Sequence, residues 1–332
     1  MILAGDIGGT NTRLALFDGA PDCLKPLDIE IFPSPQFSGP ADIVRQYLGK
    51  HQGRKIQAAA FGLPGAVVDG RVETTNLPWV VDSRHLSAEL KLDQVELIND
   101  LFANAHGIAC LQESDFVVLN QGTPSPTGNR ALISAGTGLG EAGLLHELDG
   151  SFRPFPSEGG HCDFAPTNEL EIELLRFLLG RFEHVSYERV LSGPGLHNIY
   201  EFLRDARHAE EPAGLADQIA SGDPSAAIAK AALAGSAPIA VQALDIFVSI
   251  YGAEAGNLTL KVVATSGAFI GGGIAPKILP KLKEPSFMNA FTAKGRFHTL
   301  LSHVPVRVIT NDKTALFGAG RVAALAAASS KV

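Results

Sequence analysis

Short apolar runs alternate with segments of helical spacing through the first hundred residues of the chain. Residues 1–4, 14–17, 56–61 and 95–98 are apolar runs of strand length, and residues 41–51 repeat apolar positions at helical spacing. Strands that alternate with helices indicate an α/β fold whose mostly parallel sheet is covered by helices on both faces.

The second half of the chain is largely helical by the same criterion. An amphipathic helix is predicted to begin after Asn168, which is a good capping residue, and to continue through Leu179. A long helical pattern over residues 226–251 is broken by a proline. Residues 205–224 are polar and contain Gly and Pro, which is typical of an exposed connection. The alanine-rich segment 313–327 predicts a final helix.

Two glycine-rich tips join strand pairs that share one plan. Residues 4–19, "AGDIGGTNTRLALFDG", read as strand, polar tip, strand and Asp-Gly turn, and residues 130–150, "RALISAGTGLGEAGLLHELDG", repeat that plan. The first tip holds five residues that suit a phosphate: Gly8, Gly9, Thr10, Asn11 and Thr12. The glycines are expected to adopt positive φ, and the polar residues offer hydrogen-bond donors. Two such tips can hold one polyphosphate; the alternative is that they only close tight hairpins.

A third glycine cluster occurs late in the chain. The stretch "SGAFIGGGIAPKIL", residues 266–279, follows the apolar run 261–264, which we predict to be a strand. Ile278 and Leu279 are predicted to lie in the helix that comes next. A strand, a bare-backbone turn and a helix N-terminus favour an anion or a nucleotide.

Composition excludes several classes of function. The chain has 332 residues, which predicts two domains, and its formal charge of −8 with no Lys/Arg cluster argues against a nucleic-acid or anionic-membrane partner. Its three cysteines, Cys23, Cys110 and Cys162, are too far apart for a disulfide framework or a thiolate zinc site. We find no signal peptide and no stretch of ~20 apolar residues. A cytoplasmic protein that does not span a membrane is therefore expected.

Two common nucleotide-binding motifs are absent. The chain contains no Gly-x-x-x-x-Gly-Lys-Ser/Thr stretch, and no Gly-x-Gly-x-x-Gly follows the first strand. A nucleotide site in this chain is therefore expected to be of another kind.

Asn99 and Asp100 lie where a predicted strand ends and a helix begins. Ligands of open α/β sheets bind at the carboxyl ends of strands, so Asp100 is a candidate catalytic carboxylate. Its alternative role is that of a helix N-cap, and one carboxylate can serve both purposes.

Three further polar residues lie in the second half. Glu158 and His161 flank the Gly-Gly bend of "SEGGHCDF", where a carboxylate and an imidazole suit a polyhydroxy ligand; a structural turn is the alternative. Zinc is disfavoured because His161, Cys162 and Asp163 are consecutive. Glu188, in "SYERVLSG", has no signal of its own, and its pattern indicates a solvated face.

Eight stretches of the sequence resemble the bacterial glucokinase family, and they cover essentially the whole chain. They are "GDIGGTNTRLAL", "LPGAVVDGRVETTNLPW", "LINDLFANAHGI", "GTGLGEAGL", "PSEGGHCDFAP", "HVSYERVLSGPGL", "GAFIGGGIAPKI" and "NDKTALFGAGRVA". The resemblance implies a two-lobed α/β fold of the actin-like (ribonuclease H-like) ATPase type, with a cleft between a small and a large domain. It implies a small domain over residues 1–108, completed by a C-terminal helix over 312–330, and a large domain over 109–311. It also implies a homodimer.

The same resemblance implies an activity and assigns residues to it. The activity is transfer of the γ-phosphoryl group of Mg-ATP to the 6-hydroxyl of glucose, with Asp100 as general base. The implied sugar-binding residues are Asn99, Asp100, Glu158, His161 and Glu188. The implied ATP-binding residues are Asp6, Gly8, Gly9, Thr10, Asn11, Thr137, Gly138 and Gly272, and Asp6 is also the residue near magnesium.

The chain departs from the family pattern at one position. Ala135 in "SAGTGLG" stands where many relatives have proline, which is expected to loosen the second tip without removing its donors. The dense cysteine cluster of the zinc-binding repressor branch is absent, and we expect no DNA-binding extension. Two alternatives stay open: a kinase of another hexose, such as mannose or an amino sugar, and a non-catalytic sugar sensor.

Overall fold

The chain forms two compact units in a computed structural model that describes residues 1–74 and 77–329. One unit comprises Met1–Glu113 and Asn311–Val332, and the other comprises Ser114–Thr310. Residues 75–76, within the "LPGAVVDGRVETTNLPW" stretch, and residue 330, the predicted end of the C-terminal helix, lie outside the described residues.

The first unit contains a five-stranded sheet and a small two-stranded one. Its elements are β1 (Ile2–Ile7), β2 (Asn11–Asp18), β3 (Lys25–Pro33), α1 (Pro40–Gly49), β4 (Ala58–Leu63), β5 (Arg71–Glu73), β6 (Val80–Asp82), α2 (Ser83–Leu90), β7 (Val95–Asn99) and α3 (Asp100–Gly107). The large sheet has the order β3-β2-β1-β4-β7. Strand β1 pairs in parallel with β4, and β4 with β7, whereas β2 is antiparallel to both of its neighbours. The prediction of a mostly parallel sheet is wrong here, because short connections before and after β2 force antiparallel pairing.

Helices cover both faces of this sheet, as predicted. Successive residues of a strand point to opposite faces, so Leu3 and Ile7 of β1 belong to the apolar cluster that includes Ile43 and Tyr47 of α1. Ala4 of β1 belongs to a second cluster on the other face.

The second unit is built on a six-stranded mixed sheet of order β11-β10-β9-β12-β13-β8. Its elements are β8 (Phe116–Asn120), β9 (Arg130–Ala135), β10 (Leu139–His146), β11 (Phe152–Ser157), α4 (Glu169–Leu179), α5 (Gly193–Asp205), α6 (Ala213–Ser221), α7 (Pro224–Leu233), α8 (Pro238–Lys261), β12 (Gly267–Gly271), α9 (Leu279–Leu282), α10 (Pro285–Thr292), α11 (His298–Ser302) and β13 (Val306–Ile309). Strand β12 is parallel to β9 and β13, whereas β10 is antiparallel to β9 and β11.

Most helix predictions for this unit are confirmed. Asn168 caps α4, since its side chain accepts a hydrogen bond of 3.0 Å from the Glu171 N–H. The proline break in the long pattern is also confirmed, because α8 begins at Pro238 after α7 has ended.

Two segments differ from their predictions. Residues 205–224 contain α6, which anchors to the core through the single buried residue Leu215. The strand predicted at 261–264 is wrong, because α8 extends to Lys261 and Val263 then turns with a φ of 52°. The strand is β12, inside the glycine cluster, where all five residues are buried.

Helix α8 is long and apolar enough to cross a membrane by length and composition, although no such stretch was expected from the sequence. However, 78% of its most apolar 18-residue stretch is buried inside the protein. It packs against α5, α7 and α10, so it is the central core helix of the second unit.

The last helix, α12 (Thr314–Ser329), belongs to the first unit and packs against α3, β1 and β4. At two glycines, the backbone of α12 lies directly against the backbone of α3. A Cβ atom added to Gly318 would lie 1.7 Å from the Ala103 carbonyl oxygen, and one added to Gly107 would lie 2.0 Å from that of Thr314.

Candidate active site

The first glycine-rich tip joins β1 to β2 and is held from one side by a buried serine. The Gly8 N–H donates to the Asn11 carbonyl oxygen at 2.9 Å. The Ser34 Oγ donates to the Gly8 carbonyl oxygen at 2.7 Å, and the Ser34 N–H donates to the Thr10 carbonyl oxygen at 3.0 Å. Thr12, the last residue predicted for the tip, is fully buried with its hydroxyl 2.9 Å from that of Ser34. Thr12 therefore supports the tip and is not on its ligand-facing surface.

Neither Gly8 nor Gly9 has a positive φ, so that part of the prediction is wrong. The tip closes through the Gly8–Asn11 hydrogen bond with ordinary backbone angles. Thr10 and Asn11 are exposed, and they keep the donors that the sequence predicted for a phosphate.

Asp6 lies at the base of the same tip, in an ion-pair network. Arg13 Nη1 is 3.6 Å from Asp6 Oδ2, while Arg13 Nη2 is 3.0 Å from Asp312 Oδ2 and Nη1 donates to the Asp312 carbonyl oxygen at 2.7 Å. Burial raises the pKa of Asp6 from 3.8 to about 6; the Arg13 charge opposes this rise, and the charges of Asp100 and Asp312 add to it. The network therefore has an excess of negative charge.

Asp100 lies at the same edge of the sheet as Asp6. Strands β1, β4 and β7 run in parallel, and their register aligns Asp6 with Gly62 and Gly62 with Ile98. The Asp100 Cα would lie only 3.8 Å from a Cβ atom added to Gly62. Carboxyl ends of parallel strands meet at one edge, where α/β sheets bind ligands.

The residue that caps α3 is Asn99 and not Asp100. The Asn99 Oδ1 accepts from the N–H groups of Leu101 and Phe102 at 2.9 and 3.3 Å, and its Nδ2 donates to the Gly65 carbonyl oxygen at 3.1 Å. Asp100 is the first residue of the helix, and its Oδ1 accepts from the Leu101 N–H at 2.8 Å. The capping role that was the alternative for Asp100 thus falls to its neighbour.

The second tip joins β9 to β10 in the second unit. The Gly136 N–H donates to the Gly138 carbonyl oxygen at 2.8 Å, and the Gly136 carbonyl oxygen accepts from the Gly193 N–H, also at 2.8 Å. The N–H of Ala135 donates to the buried Tyr251 hydroxyl at 3.3 Å. The base of the tip is therefore tied by a hydrogen bond that proline cannot make.

Gly272 packs directly on this tip. Its φ is 83°, and an added Cβ atom would lie 2.2 Å from the Ala135 carbonyl oxygen. Strands β9 and β12 are parallel with Gly271 opposite Ser134, so the second tip and the Gly272 turn leave the sheet side by side. Only glycine fits both the backbone angle and the space.

Glu158 precedes a short 3-10 turn over Gly159–His161, and His161 ends it. The His161 N–H donates to the Glu158 carbonyl oxygen at 3.0 Å, and both side chains are exposed. The two glycines press this turn against β10, because a Cβ atom on Gly160 would lie 2.1 Å from the Leu139 carbonyl oxygen. The turn is thus fixed beside the second tip.

Glu188 is half-buried and reaches the same place, so the prediction of a solvated face is wrong. Its Oε2 accepts from the Leu139 N–H at 2.9 Å and would lie 2.6 Å from a Cβ atom on Gly138. The Tyr187 N–H donates to the Cys162 carbonyl oxygen at 2.9 Å, which joins this segment to the Glu158–His161 turn. Gly138, Glu158, His161 and Glu188 are therefore gathered around Leu139.

A pair of buried carboxyl groups lies beneath this turn, and no sequence pattern indicates it. Glu141 of β10 is 1% exposed, and its Oε2 would lie 2.1 Å from a Cβ atom on Gly159. Glu254 of α8 is fully buried and pairs with the Lys261 ammonium at 2.9 Å. Burial, and then the nearby Glu254 charge, raise the pKa of Glu141 from 4.5 to about 8.

Replacing Glu141 by Gln is expected to make stability less dependent on pH. Between about pH 4.5 and pH 8 the folded chain keeps a proton on Glu141 that the unfolded chain has lost, so the free energy of unfolding falls as pH rises, by at most about 1.4 kcal/mol per pH unit. The difference in melting temperature, Glu141→Gln minus wild type, should therefore increase from pH 5 to pH 9. The exposed Glu183→Gln is the control. A difference that stays constant with pH would show that Glu141 ionises normally.

Comparisons with known proteins identify the family of the chain. A family model described as glucokinase matches residues 3–326. The curated glucokinase of a Nostoc species is 42% identical, over 98% of this chain and 99% of that protein. The crystal structure of a glucokinase from an Antarctic psychrotroph is 32% identical with a TM-score of 0.84, over 97% of this chain and 98% of that one.

A more distant solved structure has the same fold. It is a glucokinase of the ROK family from Streptomyces griseus, in complex with glucose and AMPPNP, with 21% identity and a TM-score of 0.67 over 97% of this chain and 98% of that one. These neighbours have the actin-like ATPase fold, which confirms the predicted fold class. The chain therefore belongs to the glucokinase family of ATP-dependent hexose kinases.

Proposed function

We propose that this chain phosphorylates the 6-hydroxyl of glucose with Mg-ATP through the residues described above. The observation that carries the proposal is that each unit gathers its candidate residues at one sheet edge. In the first unit these are Asp6, the Gly8–Asn11 tip and Asp100; in the second they are the Gly136–Gly138 tip, Gly272, Glu158, His161 and Glu188. The two units would serve as the small and the large domain of the kinase.

The donor set around Asp6 fits a magnesium ion. Mg²⁺ prefers carboxylate oxygens together with water and substrate phosphates, and the excess negative charge of Asp6, Asp100 and Asp312 favours a divalent cation. Asp6 would hold it, either directly or through water. The ion would neutralise charge on the β- and γ-phosphates.

The two tips would bind the phosphates of ATP through backbone N–H groups and hydroxyls. Thr10 and Asn11 would contribute from the first tip, and Thr137 and Gly138 from the second. Gly272 would line the adenosine side, because its turn lies against the second tip. Little covalent chemistry is required of the protein, since phosphoryl transfer depends on alignment and charge compensation.

Asp100 would act as the general base. Its carboxylate would take the proton of the glucose 6-hydroxyl while that oxygen bonds to the γ-phosphorus and the bond to the β,γ-bridging oxygen breaks, which releases ADP. Asn99, Glu158, His161 and Glu188 would bind the other hydroxyls. A sugar that lacks one of them would leave a polar group unpaired and would be rejected.

An ADP-release assay over a panel of sugars tests the proposal. Glucose with Mg-ATP should give the highest kcat/KM, ahead of mannose and glucosamine. A higher value for mannose or glucosamine would identify a different hexose kinase, and glucose binding without ADP formation would identify a sugar sensor.

Ser34→Ala is expected to weaken ATP binding. The change removes the hydrogen bond from the Ser34 hydroxyl to the Gly8 carbonyl oxygen and leaves the Thr12 hydroxyl without its buried partner, at a cost of about 1–3 kcal/mol. A loosened tip should raise the KM for ATP several-fold and change the KM for glucose little. The exposed Ser38→Ala is the matched control. An unchanged KM for ATP would contradict a phosphate-binding role for this tip.

We further propose a cytoplasmic homodimer. The scattered cysteines, of which Cys23 and Cys162 are exposed and all three are free, fit a reducing compartment. Light scattering coupled to gel filtration tests the oligomeric state, and a monomeric mass would contradict it.

A further inference from the structure

An acidic and histidine cluster in the first unit includes none of the residues assigned above. It consists of Asp28 and Glu30 on β3 and His51, which follows α1. One potential ligand atom from each residue lies within 4.8 Å of the others. Asp28 and Glu30 are two residues apart on an edge strand, so both side chains point to the face on which α1 packs.

The imidazole of His51 is directed into this cluster, and its Nε2 lacks a hydrogen-bond partner in the described part of the chain. Its side chain is only 10% exposed, and its Nε2 lies 3.0 Å from Asp28 Oδ2 and 3.9 Å from Glu30 Oε1. Asp28 Oδ2 is near enough but lies at the wrong angle, and Glu30 Oε1 is too distant, so Nε2 has no hydrogen bond to any described residue. A buried imidazole nitrogen without a partner is costly unless something else occupies the site.

The spacing of the three atoms suits a shared cation better than a hydrogen bond. Ligand atoms bonded at about 2.0–2.1 Å in a tetrahedral zinc site lie about 3.3 Å from one another. Each atom points its lone pair at the metal and not at another ligand atom. The distances of 3.0 and 3.9 Å bracket that value.

Neighbouring residues contact the segments that carry the ligands. The Tyr47 ring packs against the His51 ring with centroids 4.6 Å apart, and the Tyr47 hydroxyl donates to the Asp28 carbonyl oxygen at 3.1 Å. Lys50 forms an ion pair with Glu30 Oε2, which leaves Oε1 as the oxygen that faces His51. Such second contacts are typical of metal ligands.

We propose that Asp28, Glu30 and His51 bind one zinc ion that joins the edge strand β3 to the end of α1. One imidazole nitrogen with two carboxylate oxygens selects Zn²⁺ over Mg²⁺ and Ca²⁺, which prefer oxygen ligands only. Water would complete the tetrahedron, since Asp28 and Glu30 are partly exposed. The site does not depend on the proposed activity.

Zinc stoichiometry tests this site directly. The full chain, stripped of metal with a chelator, is dialysed against buffered Zn²⁺, and bound zinc is measured by mass spectrometry for the wild type, His51→Gln, Asp28→Asn and the exposed control His85→Gln. Zinc held by thiols is common to all four proteins. We expect His51→Gln and Asp28→Asn each to bind one equivalent of zinc less than the wild type, and His85→Gln to bind as much as the wild type.

A second readout does not depend on stoichiometry. Zinc should raise the melting temperature of the wild type and of His85→Gln, and less so that of His51→Gln, because a ligand that binds only the folded chain stabilises it. Equal stoichiometry in the wild type and His51→Gln, or displacement of the ion by millimolar Mg²⁺, would overturn the proposal. Circular dichroism before zinc addition shows whether each variant is folded.

Discussion

Asp100→Asn is expected to lower kcat at least ~100-fold while the protein folds and binds glucose as before. The change removes the carboxylate that would accept the proton of the 6-hydroxyl, which is a loss confined to the chemical step. An amide of nearly the same shape remains in its place. A fall in kcat with little change in glucose affinity is the result that a general base requires.

The structure explains why this variant should fold. The cap of α3 is supplied by Asn99, whose side chain accepts from two backbone N–H groups, and the oxygen of Asn at position 100 can still accept from the Leu101 N–H. ADP release measures turnover, and calorimetric titration measures glucose binding. Asp93→Asn, an exposed change just before β7, is the control. Near-normal turnover of Asp100→Asn would remove that residue from the role.

Local patterns predicted the elements of the fold well, and failed where neighbours in space decide the outcome. The strand–tip–strand plan at both tips, the Asn168 cap and the proline break before α8 depend on adjacent residues, and all are present. The Val262–Val263 run favoured a strand locally, but α8 continues almost to it, and the buried position between β9 and β13 is taken by β12. Strand direction depends on such long-range pairing.

The supporting residues of the site could not be found in the same way. Arg13 and Asp312 are each in a stretch that resembles the family, yet they are 299 positions apart, and no pattern connects them. Ser34 has no sequence signal, because its role follows from the return of the chain past the first tip. Glu141 and Glu254 come from a strand and a helix, and only packing shows that their carboxyl groups are buried together.

Gly318→Ala should destabilise the protein more than any of the other substitutions proposed above. The added methyl group would lie 1.7 Å from the Ala103 carbonyl oxygen and 2.7 Å from the Gly107 nitrogen, and backbone atoms cannot swing away as a side chain can. Helix α12 would have to move off α3, which we expect to cost about 3 kcal/mol or more and to lower the melting temperature by roughly 6–12 °C.

Gly49→Ala separates this clash from the general effect of glycine in a helix. Gly49 ends α1 in the same unit, and a Cβ atom there would meet nothing within 4 Å. Alanine favours helix by up to about 1 kcal/mol, so this control should be neutral or slightly stabilising. Thermal unfolding of the two variants beside the wild type gives the comparison. If Gly318→Ala had the same melting temperature as Gly49→Ala, the close packing of the C-terminal helix on α3 would be refuted. A methyl group cannot fit 1.7 Å from a backbone oxygen without a loss of stability.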